Sequence, residues 1–592
     1  MKVFNSVSDL QAASLTAGQL TQTKRYFAGQ DGGGATYLIK TAVDYAGTPD
    51  ELTDFTLANG NVASIHYASS DYIKNTPLGG GPDVTLQATL NTIEGDIDAL
   101  QSVTPTADIG KVKADALPVG SIDIPNTFNN TLGVSIYWDG TAVRCTQSPY
   151  DLIDFEKWAT VTNYYVNYAA GTDGGAGTGS GASAWKTLDY AVANAVSPAI
   201  INIEDEWIGY LSSGSTPKSF TGQLKIKSVH SSGRTIIAAM RESYDVASFS
   251  WASSGASNAY VSSTASAKYY RSQVDTKYKD VNGIPRPITN AGSQAACETT
   301  PGTFYWSGSA LYVHMWDGRI PDPADGWMYS ESPYDFEIQQ GGTSASDIIL
   351  LENMKFLSNN GATTSGAGMR YRPVTTGSAT AAMFGCKNCL VYGNHDNGFE
   401  IYDADVVVME DCHARYNRAD GLNYHSFVTT GTKGEYMTVY EYNCTSFDSG
   451  FGGWADQIAL GTSTNGSTSH DSLHIIRINT VAGGCNGAVI ADVNGVHSLN
   501  YNVTASHPDD GGTSAWPYCF WHEKYLTAGA TNIMYLWGCS AHTDEDVSVD
   551  IISNLNQAGG SASDGEIRVK YWQGEITDQV VGTLYDWSGT AL

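Results

Sequence analysis

The sequence predicts an all-β protein, most of it wound as a right-handed parallel β-helix, a solenoid whose every coil adds one strand to each of several sheets. Three observations predict it. A short motif recurs through the C-terminal half on a fixed base period. The same positions in that motif are small or apolar each time. The composition also suits strands and tight turns, with 63 glycines and 35 tyrosines among 592 residues and only 16% charged side chains against a usual ~25%.

The repeat is carried by ENMKFLSNN, KNCLVYGNH, EDCHARYNR, YNCTSFDSG, NTVAGG, YNVTASH and WGCSAHTDE, which superpose on Met354, Cys389, Cys412, Cys444, Thr480, Val503 and Cys539. Successive anchors lie 35, 23, 32, 36, 23 and 36 residues apart, a coil of 23 lengthened by insertions of 9, 12 or 13. Such a period means that no unit buries its apolar face without neighbours. Two residues past the anchors stand Phe356, Val391, Ala414, Ser446, Ala482, Ala505 and Ala541, the parity of a buried strand face. Five past them, Asn359, Asn394 and Asn417 predict a stacked turn. A second strand is expected in GMRYRP, GFEIYD, GLNYHS, QIALGT, GAVIAD and YCFWHE, with Met369, Tyr371, Phe399, Ile401, Leu422, Tyr424, Ile458, Leu460, Ala488, Ile490, Cys519 and Trp521 inward.

Upstream elements follow in chain order. Residues 1–70 hold short alternating stretches broken by DGGGATYLI (31–39) and LANGNVASI (57–65), a small β-rich N-terminal domain. The DGGG run lacks the Lys-Ser/Thr of a phosphate cradle and reads as turn chemistry. Residues 71–103 form a linker and a short coiled-coil-like helix in which Leu86, Leu90, Ile93, Ile97 and Leu100 are spaced 4, 3, 4, 3. Mixed Leu and Ile on that seam suits more than two strands, so a homotrimer is expected, although one amphipathic helix packed on its own domain fits the same spacing. Residues 104–158 carry the hairpin IYWDGTAVRC (136–145) and form a second small β domain. The β-helix is expected over 159–592, opened by a strand, a glycine-rich loop and an amphipathic cap helix from about 185 to 196, with an insertion at about 240–345 and C-terminal strands from about 549.

Composition excludes several partners. Lys+Arg 32 against Asp+Glu 61 gives a net charge of -29, which repels nucleic acid and anionic membranes. No window approaches ~18 uninterrupted apolar residues, so no membrane insertion is expected. The start lacks an apolar h-region, so extracellular action would depend on lysis or assembly into a particle. Nine cysteines, an odd count, predict reduced, mostly buried thiols. No metal or other cofactor is expected, because GTDGGAGTGSG holds one Asp, too few oxygen ligands for a calcium loop.

The opening FNSVSDLQAASLTAGQLTQTKRYFAGQDGGGATYLI (4–39) is similar to the N-terminal segment of bacteriophage tail-spike proteins. YYVNYAAGTDGGAGTGSGASAWKTLDYAVANA (164–195) resembles the start of pectate-lyase-like right-handed β-helix proteins, and TPGTFYWSGSALYVHMWDGRIPD (300–322) resembles a β-hairpin insertion of carbohydrate-active β-helices. The resemblance implies a trimeric receptor-binding protein of the virion tail, made in the host cytoplasm and acting at the host surface. It would be held to a tail or baseplate protein by its N-terminus, with bacterial surface polysaccharide (capsule, O-antigen or exopolysaccharide) as its partner.

Loops gather around the outer face of the second strand, the extra residues 427–434 and 463–471 following it and 450–453 and 508–517 preceding it, and a chain-like ligand would lie there. Hydrolysis of a glycosidic bond needs one carboxyl group as acid and another as nucleophile or base. The expected catalytic residues are Glu400 as acid with Asp403 as companion, and a second cluster of Asp492 and Glu523 beside His522. Arg370, Arg372, Tyr402, Asn423, His425, Trp454, Trp516 and His522 are expected to bind substrate, aromatic rings packing on the CH-rich faces of sugars. Two alternatives stand beside this glycoside hydrolase. One is a polysaccharide lyase using Arg370, Arg372, Tyr402 and His425, and the other is a spike that holds glycan without cutting it. Asp420 and Asp456 align with Asn397 and Asn486 just before the strand and are expected to be turn residues.

Overall fold

The computed structural model describes residues 2–4, 10–16, 20–23, 35–41 and 54–68, and then 119–590 except 126–127, 209–217, 232–234, 239, 242–249, 256–257, 264–272, 280–284, 323–324, 331–335, 358–366, 375–380, 395, 427–436, 451–463, 472, 494, 507–517, 524–531, 543–551, 556–564, 573–579 and 582–583. The chain divides into two units, 1–104 and 105–592. The seam 86–100, QIALGT, Asn359, Trp454, Asp456 and Trp516 all fall outside the described residues.

The first unit holds a five-stranded sheet in which strand Ala35–Lys40 pairs antiparallel with Val62–Ala68, and Val62–Ala68 with Asp54–Thr56. The Asn and Gly of LANGN make the turn between the last two, with Gly60 at φ 80°. The Asn59 and Asn61 side chains both donate to the Leu15 carbonyl, at 2.8 and 2.7 Å.

The second unit is a parallel β-helix. Three sheets of 12, 9 and 10 strands run along it, and each coil contributes one strand to each in turn. In one coil these are Met383–Lys387, Leu390–Tyr392 and Phe399–Tyr402, hydrogen-bonded in parallel register to Val406–Glu410, His413–Arg415 and Leu422–His425 of the next. We call them the long, short and groove sheets. The strands from 552 onward extend the long and groove sheets.

One residue turns each long strand into its short strand. Asn353, Asn388, Asp411, Asn443, Asn479 and Asn502 occupy that place, all at φ between 52° and 59°. Asn and Asp tolerate this left-handed conformation better than other residues with a Cβ. Their amides also stack: Nδ2 donates to the Oδ1 one rung away from Asn388 to Asn353 at 2.6 Å, Asn443 to Asp411 at 3.3 Å, Asn479 to Asn443 at 3.0 Å and Asn502 to Asn479 at 2.9 Å. The expected Asn turn ladder is present as well, with Asn394 Nδ2 donating to Asn417 Oδ1 at 2.8 Å. The anchors that follow the left-handed residue are wholly buried, and all nine cysteines are free thiols, eight of them buried.

Ile349, Leu351, Phe384, Cys386, Val407, Met409, Met369, Tyr371, Phe399, Ile401, Leu422 and Tyr424 fill the lumen of the N-terminal coils. The cap helix forms as Leu188–Asn194, its Thr187 hydroxyl accepting the Tyr190 N–H at 3.2 Å, and Leu188, Ala191 and Val192 close the end of that core. Asp173 of the glycine-rich loop accepts from the Lys186 and Thr187 amides and the Thr187 hydroxyl, so the loop's one acid is spent on holding the cap. Residues 119–158 form a three-stranded antiparallel sheet and a helical turn laid on the outer side of the long sheet. Ile136, Trp138, Val143, Tyr150 and Phe155 pack there on Leu350, Val408, Tyr440, Ile476, Leu499 and Trp537. Buried Lys225 anchors this strap to Asp154 at 3.0 Å, and the Tyr440 hydroxyl accepts the Leu132 N–H at 2.9 Å. The insertion makes its own eight-stranded sheet, with strands from Met240–Arg241 to Trp327–Ser330, around Ile288, Phe304, Leu311, Val313, Met315 and Trp327.

Two rungs depart from expectation. Where QIALGT was expected in the groove sheet, the strand is Ser467–His470, paired with Leu422–His425 before it and Ile490–Val493 after it. The extra residues of that coil therefore precede the strand, and the expected placement of 463–471 after it is overturned. In the rung of Phe520–Glu523, Phe520 pairs with Ile490 and His522 with Asp492, so Phe520 and His522 sit on the lumen side and Trp521 on the outer side. This is the reverse of the expected parity.

The reversal has a cause in the lumen, which turns polar here. Arg477, reaching in from the long sheet and wholly buried, donates to Asp492 Oδ1 at 2.9 Å, Ser467 Oγ at 2.9 Å, Ser469 Oγ at 3.0 Å and Asn500 Oδ1 at 3.2 Å. Buried Glu441 accepts from Ser467 Oγ at 2.7 Å and Thr480 Oγ1 at 3.0 Å. His522 shares this wholly buried stretch. Asp492 and His522 are thus interior residues and do not belong to an outer site.

Two stability predictions follow from these contacts. Asn479→Ala should lower the urea midpoint by an amount equivalent to about 2–4 kcal/mol, combining left-handed strain with lost ladder bonds, while Asn479→Gly should lose less because only the bonds go. Arg477→Met should cost about 3–5 kcal/mol by stranding two carboxylates, and adding Glu441→Gln with Asp492→Asn should recover much of it; an unchanged midpoint in Arg477→Met would refute the buried network.

Candidate functional site

The strap covers one outer face of the solenoid, and the groove sheet presents another. Register brings three columns together there. The first is Glu337, Arg370, Glu400, Asn423, Thr468, Ala491 and Trp521, and the second, two residues along, includes Gln339, Arg372, Tyr402, His425, His470 and Val493. The third, three residues before the first, runs Ala367, Asn397, Asp420, Asn465, Ala488 and Tyr518. Neighbouring rungs lie about 4.8 Å apart.

Glu400 is the best-held carboxylate on this face. It is 5% exposed. Arg370 Nε donates to its Oε2 at 2.5 Å, while Asn397 Nδ2 and the Tyr402 hydroxyl donate to its Oε1 at 2.9 and 2.5 Å. One rung back, Glu337 accepts from Arg372 Nε and from Gln339 Nε2 at 3.1 Å, with Arg370 Nη1 3.8 Å away. The two arginines are therefore matched by two carboxylates, and the floor of the face carries little net charge. Burial and the charge of Glu400 push the Tyr402 phenol well above its usual range, which fixes it as a donor.

The second column stacks aromatic rings. Tyr402 and His425 lie 5.2 Å apart and 15° from parallel, and His425 and His470 lie 4.4 Å apart at 4°. Asp471 Oδ2 stands 3.6 Å from His425 Nδ1. Burial and the charge of His425 push His470 down to about 3, so it stays neutral through the physiological range.

Beyond His470 the face closes. Thr468 and Ala491 are wholly buried, and Trp521 packs with Ala488, Ala491 and Tyr518 in a small apolar cluster. The chemically equipped stretch is thus the three rungs from Arg370 to His425.

Of the expected site residues, Arg370, Arg372, Glu400, Tyr402, Asn423 and His425 converge on these rungs. Asp403 is a turn residue, 3% exposed and at φ 48°. It ends the groove strand rather than facing Glu400. Asp492 and Glu523 cannot pair as expected, because register sets Asp492 on the lumen side and position 523 on the outer side of the sheet. Position 523 also lies four rungs from Glu400, on the order of 19 Å, beyond the ~5–9.5 Å of a glycosidase pair.

Sequence reasoning missed Glu337, Gln339, Asn397 as a Glu400 partner, and the His470 ring. The groove strand before GMRYRP is FEIQQ (336–340), which precedes the first repeat anchor, and STSH gives no alternating apolar pattern. Asp420 was expected as a turn residue. It is buried, and burial pushes its carboxyl up to about 6.

No family model matches the chain, and no curated protein matches it. Solved structures do. A glycoside hydrolase shares 9% identity, covering 70% of this chain and 97% of its own, at a TM-score of 0.40. The pectate lyase Pel9A shares 10%, covering 71% and 82%, at 0.31. A tailspike protein of Acinetobacter baumannii bacteriophage Fri1, a capsular polysaccharide depolymerase, shares 11%, covering 98% and 77%, at 0.24. Likeness at this level leaves the chemistry to be settled from the groove itself.

Proposed function

We propose that the protein binds a bacterial surface polysaccharide along the groove sheet and hydrolyses its glycosidic bonds at Glu400. The observation that carries this reading is a buried carboxylate on an outer face, fixed by a guanidinium, an amide and a phenol, with polar and ring side chains on the rungs beside it. A ribbon of evenly spaced rungs matches a polymer whose own repeat is linear. Asn423 and the edges of the stacked Tyr402 and His425 rings offer hydrogen bonds to sugar hydroxyls.

Elimination from a uronate has its own supporting observation, the presence of Arg370, Arg372, Tyr402 and His425 on three successive rungs. Two facts weigh against it. Both arginines are already matched by Glu337 and Glu400, so neither is spare to neutralise the uronate, and Tyr402 is held as a protonated donor. Within the same proposal the chain is a virion tail-spike. The N-terminal unit attaches to the tail, and three copies associate through the 86–100 seam and surfaces elsewhere. Light scattering on the purified protein tests the trimer directly.

Incubation with surface polysaccharide separates the chemistries. Hydrolysis releases reducing ends and no new absorbance at ~232–235 nm; elimination gives that absorbance, and a binding-only spike gives neither. Glu400→Gln should lower the rate by about 100-fold or more while leaving polysaccharide retention intact. Full cleavage by that variant would remove the site from consideration.

A further inference from the structure

We propose that Asp420 is the second carboxylate of the cleavage site, the acid that protonates the leaving oxygen; this rests on the hydrolytic reading above. Asp420 occupies the same place in its coil as Asn397, whose amide faces Glu400. Its carboxyl accepts the N–H of Asn465 in the same column and lies beside Thr468 of the first column, which places it with the outer columns. A Cβ on Gly421 would lie 1.9 Å from Ser446 Oγ, so the chain makes its close approach to the short sheet there.

This column performs a structural task that needs no charge. Asn397 Oδ1 accepts the Asp420 N–H at 3.0 Å, and Asp420 Oδ1 accepts the Asn465 N–H at 2.7 Å, so each side-chain oxygen ties down the next rung. An amide oxygen serves as well as a carboxylate, as Asn397 shows. At 420 the chain nevertheless places an ionisable group among the buried residues, with the Cys485 thiol and Thr468 hydroxyl beside it. Desolvation disfavours its charge, Asp396 adds to that effect, and His425 opposes it. A carboxyl group kept protonated in mild acid is what a general acid requires. The Asn397 amide joins the two acids, touching the Glu400 carboxylate with its nitrogen and the Asp420 backbone with its oxygen.

In the resulting step the Asp420 proton passes to the glycosidic oxygen as the bond from that oxygen to C1 breaks. Water adds to C1 and its proton passes to Glu400, and exchange with solvent returns a proton to Asp420 and removes one from Glu400. No further reactant is needed.

The test uses full-length protein and a surface polysaccharide on which the wild type releases reducing ends. Asp420→Asn keeps the ladder oxygen, so its melting temperature at pH 7.5 should equal or exceed that of the wild type. The sign follows from the raised acid: ionising Asp420 costs stability as pH climbs from about 4 to about 6, and the amide escapes that cost. Its kcat should fall by about 10²–10⁴ with KM little changed. Wild-type kcat/KM should decline above about pH 6, and the variant's residual rate should lose that limb. Cleavage undiminished in Asp420→Asn, or a loss confined to KM, overturns the assignment while hydrolysis stands. Should the variant fail to fold, a wild-type profile without a limb near 6 overturns it equally. A wild type that yields only unsaturated product, or none, removes the hydrolytic reading and this assignment with it.

Discussion

The structure depends on a single-residue turn. Between each long strand and its short strand one residue takes a left-handed conformation, and the identity of that residue, Asn in five of the six coils from 353 to 502 and Asp in the other, holds the coils in register through side-chain bonds along the stack. Because side chains alternate along a strand, a slip of one residue would exchange lumen for surface throughout a coil. The turn column prevents that slip where it starts. With register pinned, a residue choice at one position becomes a line of chemistry running along the axis, and both the groove and the lumen are made of such lines.

Those lines can change character along the axis when the volumes still add up. Leu422 and Tyr424 fill the lumen in one rung, and Ser467 and Ser469 take their places in the next. Two serines leave much of that space empty. Arg477, crossing from the long sheet, supplies the missing bulk and bonds to both hydroxyls, while Asp492 and Glu441 supply the counter-charge. A buried pair of this kind seldom adds stability over a well-packed apolar core, so its effect here is to bind three rungs of two sheets to one another. Further on, Met534, Leu536, Ile567 and Phe520 make the lumen apolar again.

This local change decides what could be read from the sequence. The period, the buried parity of the anchors, the cap helix and the free thiols were all legible, since each comes from apolar spacing or turn chemistry within about 40 residues. QIALGT was taken for a strand because it alternates, whereas Ser467–His470 has no apolar residue to mark it. Trp521 was expected inside and His522 outside for the same reason, but a lumen furnished by Arg477 and Asp492 reverses the preference. The hairpin 136–145 could be found, but the face that it covers lies more than 200 residues away and leaves no local trace. The left-handed Asn column stood one place before the anchors and needed only to be recognised as a turn requirement. At the site, Glu400 and its neighbours came from strand parity, while Asp420 was hidden by resemblance to its Asn neighbours: pattern alone shows the shared task and conceals the extra proton.

Charge then bears on how a glycan would be held. The chain as a whole carries a net charge of -29, yet the groove floor matches two arginines with two carboxylates. Attraction at long range is therefore absent for an anionic chain and unavailable to a neutral one. Under the proposed function, affinity has to come from contact, with sugar hydroxyls bonding to Asn423, to arginine edges and to the edges of the stacked Tyr402 and His425 rings. Each such contact is weak, and it is the repetition of rungs that makes them sum over several sugar units. Under the same proposal, the fold that keeps evenly spaced rungs in register is also the source of binding strength, and cleavage requires only that two neighbouring rungs carry Glu400 and Asp420 among residues that are otherwise uncharged or paired.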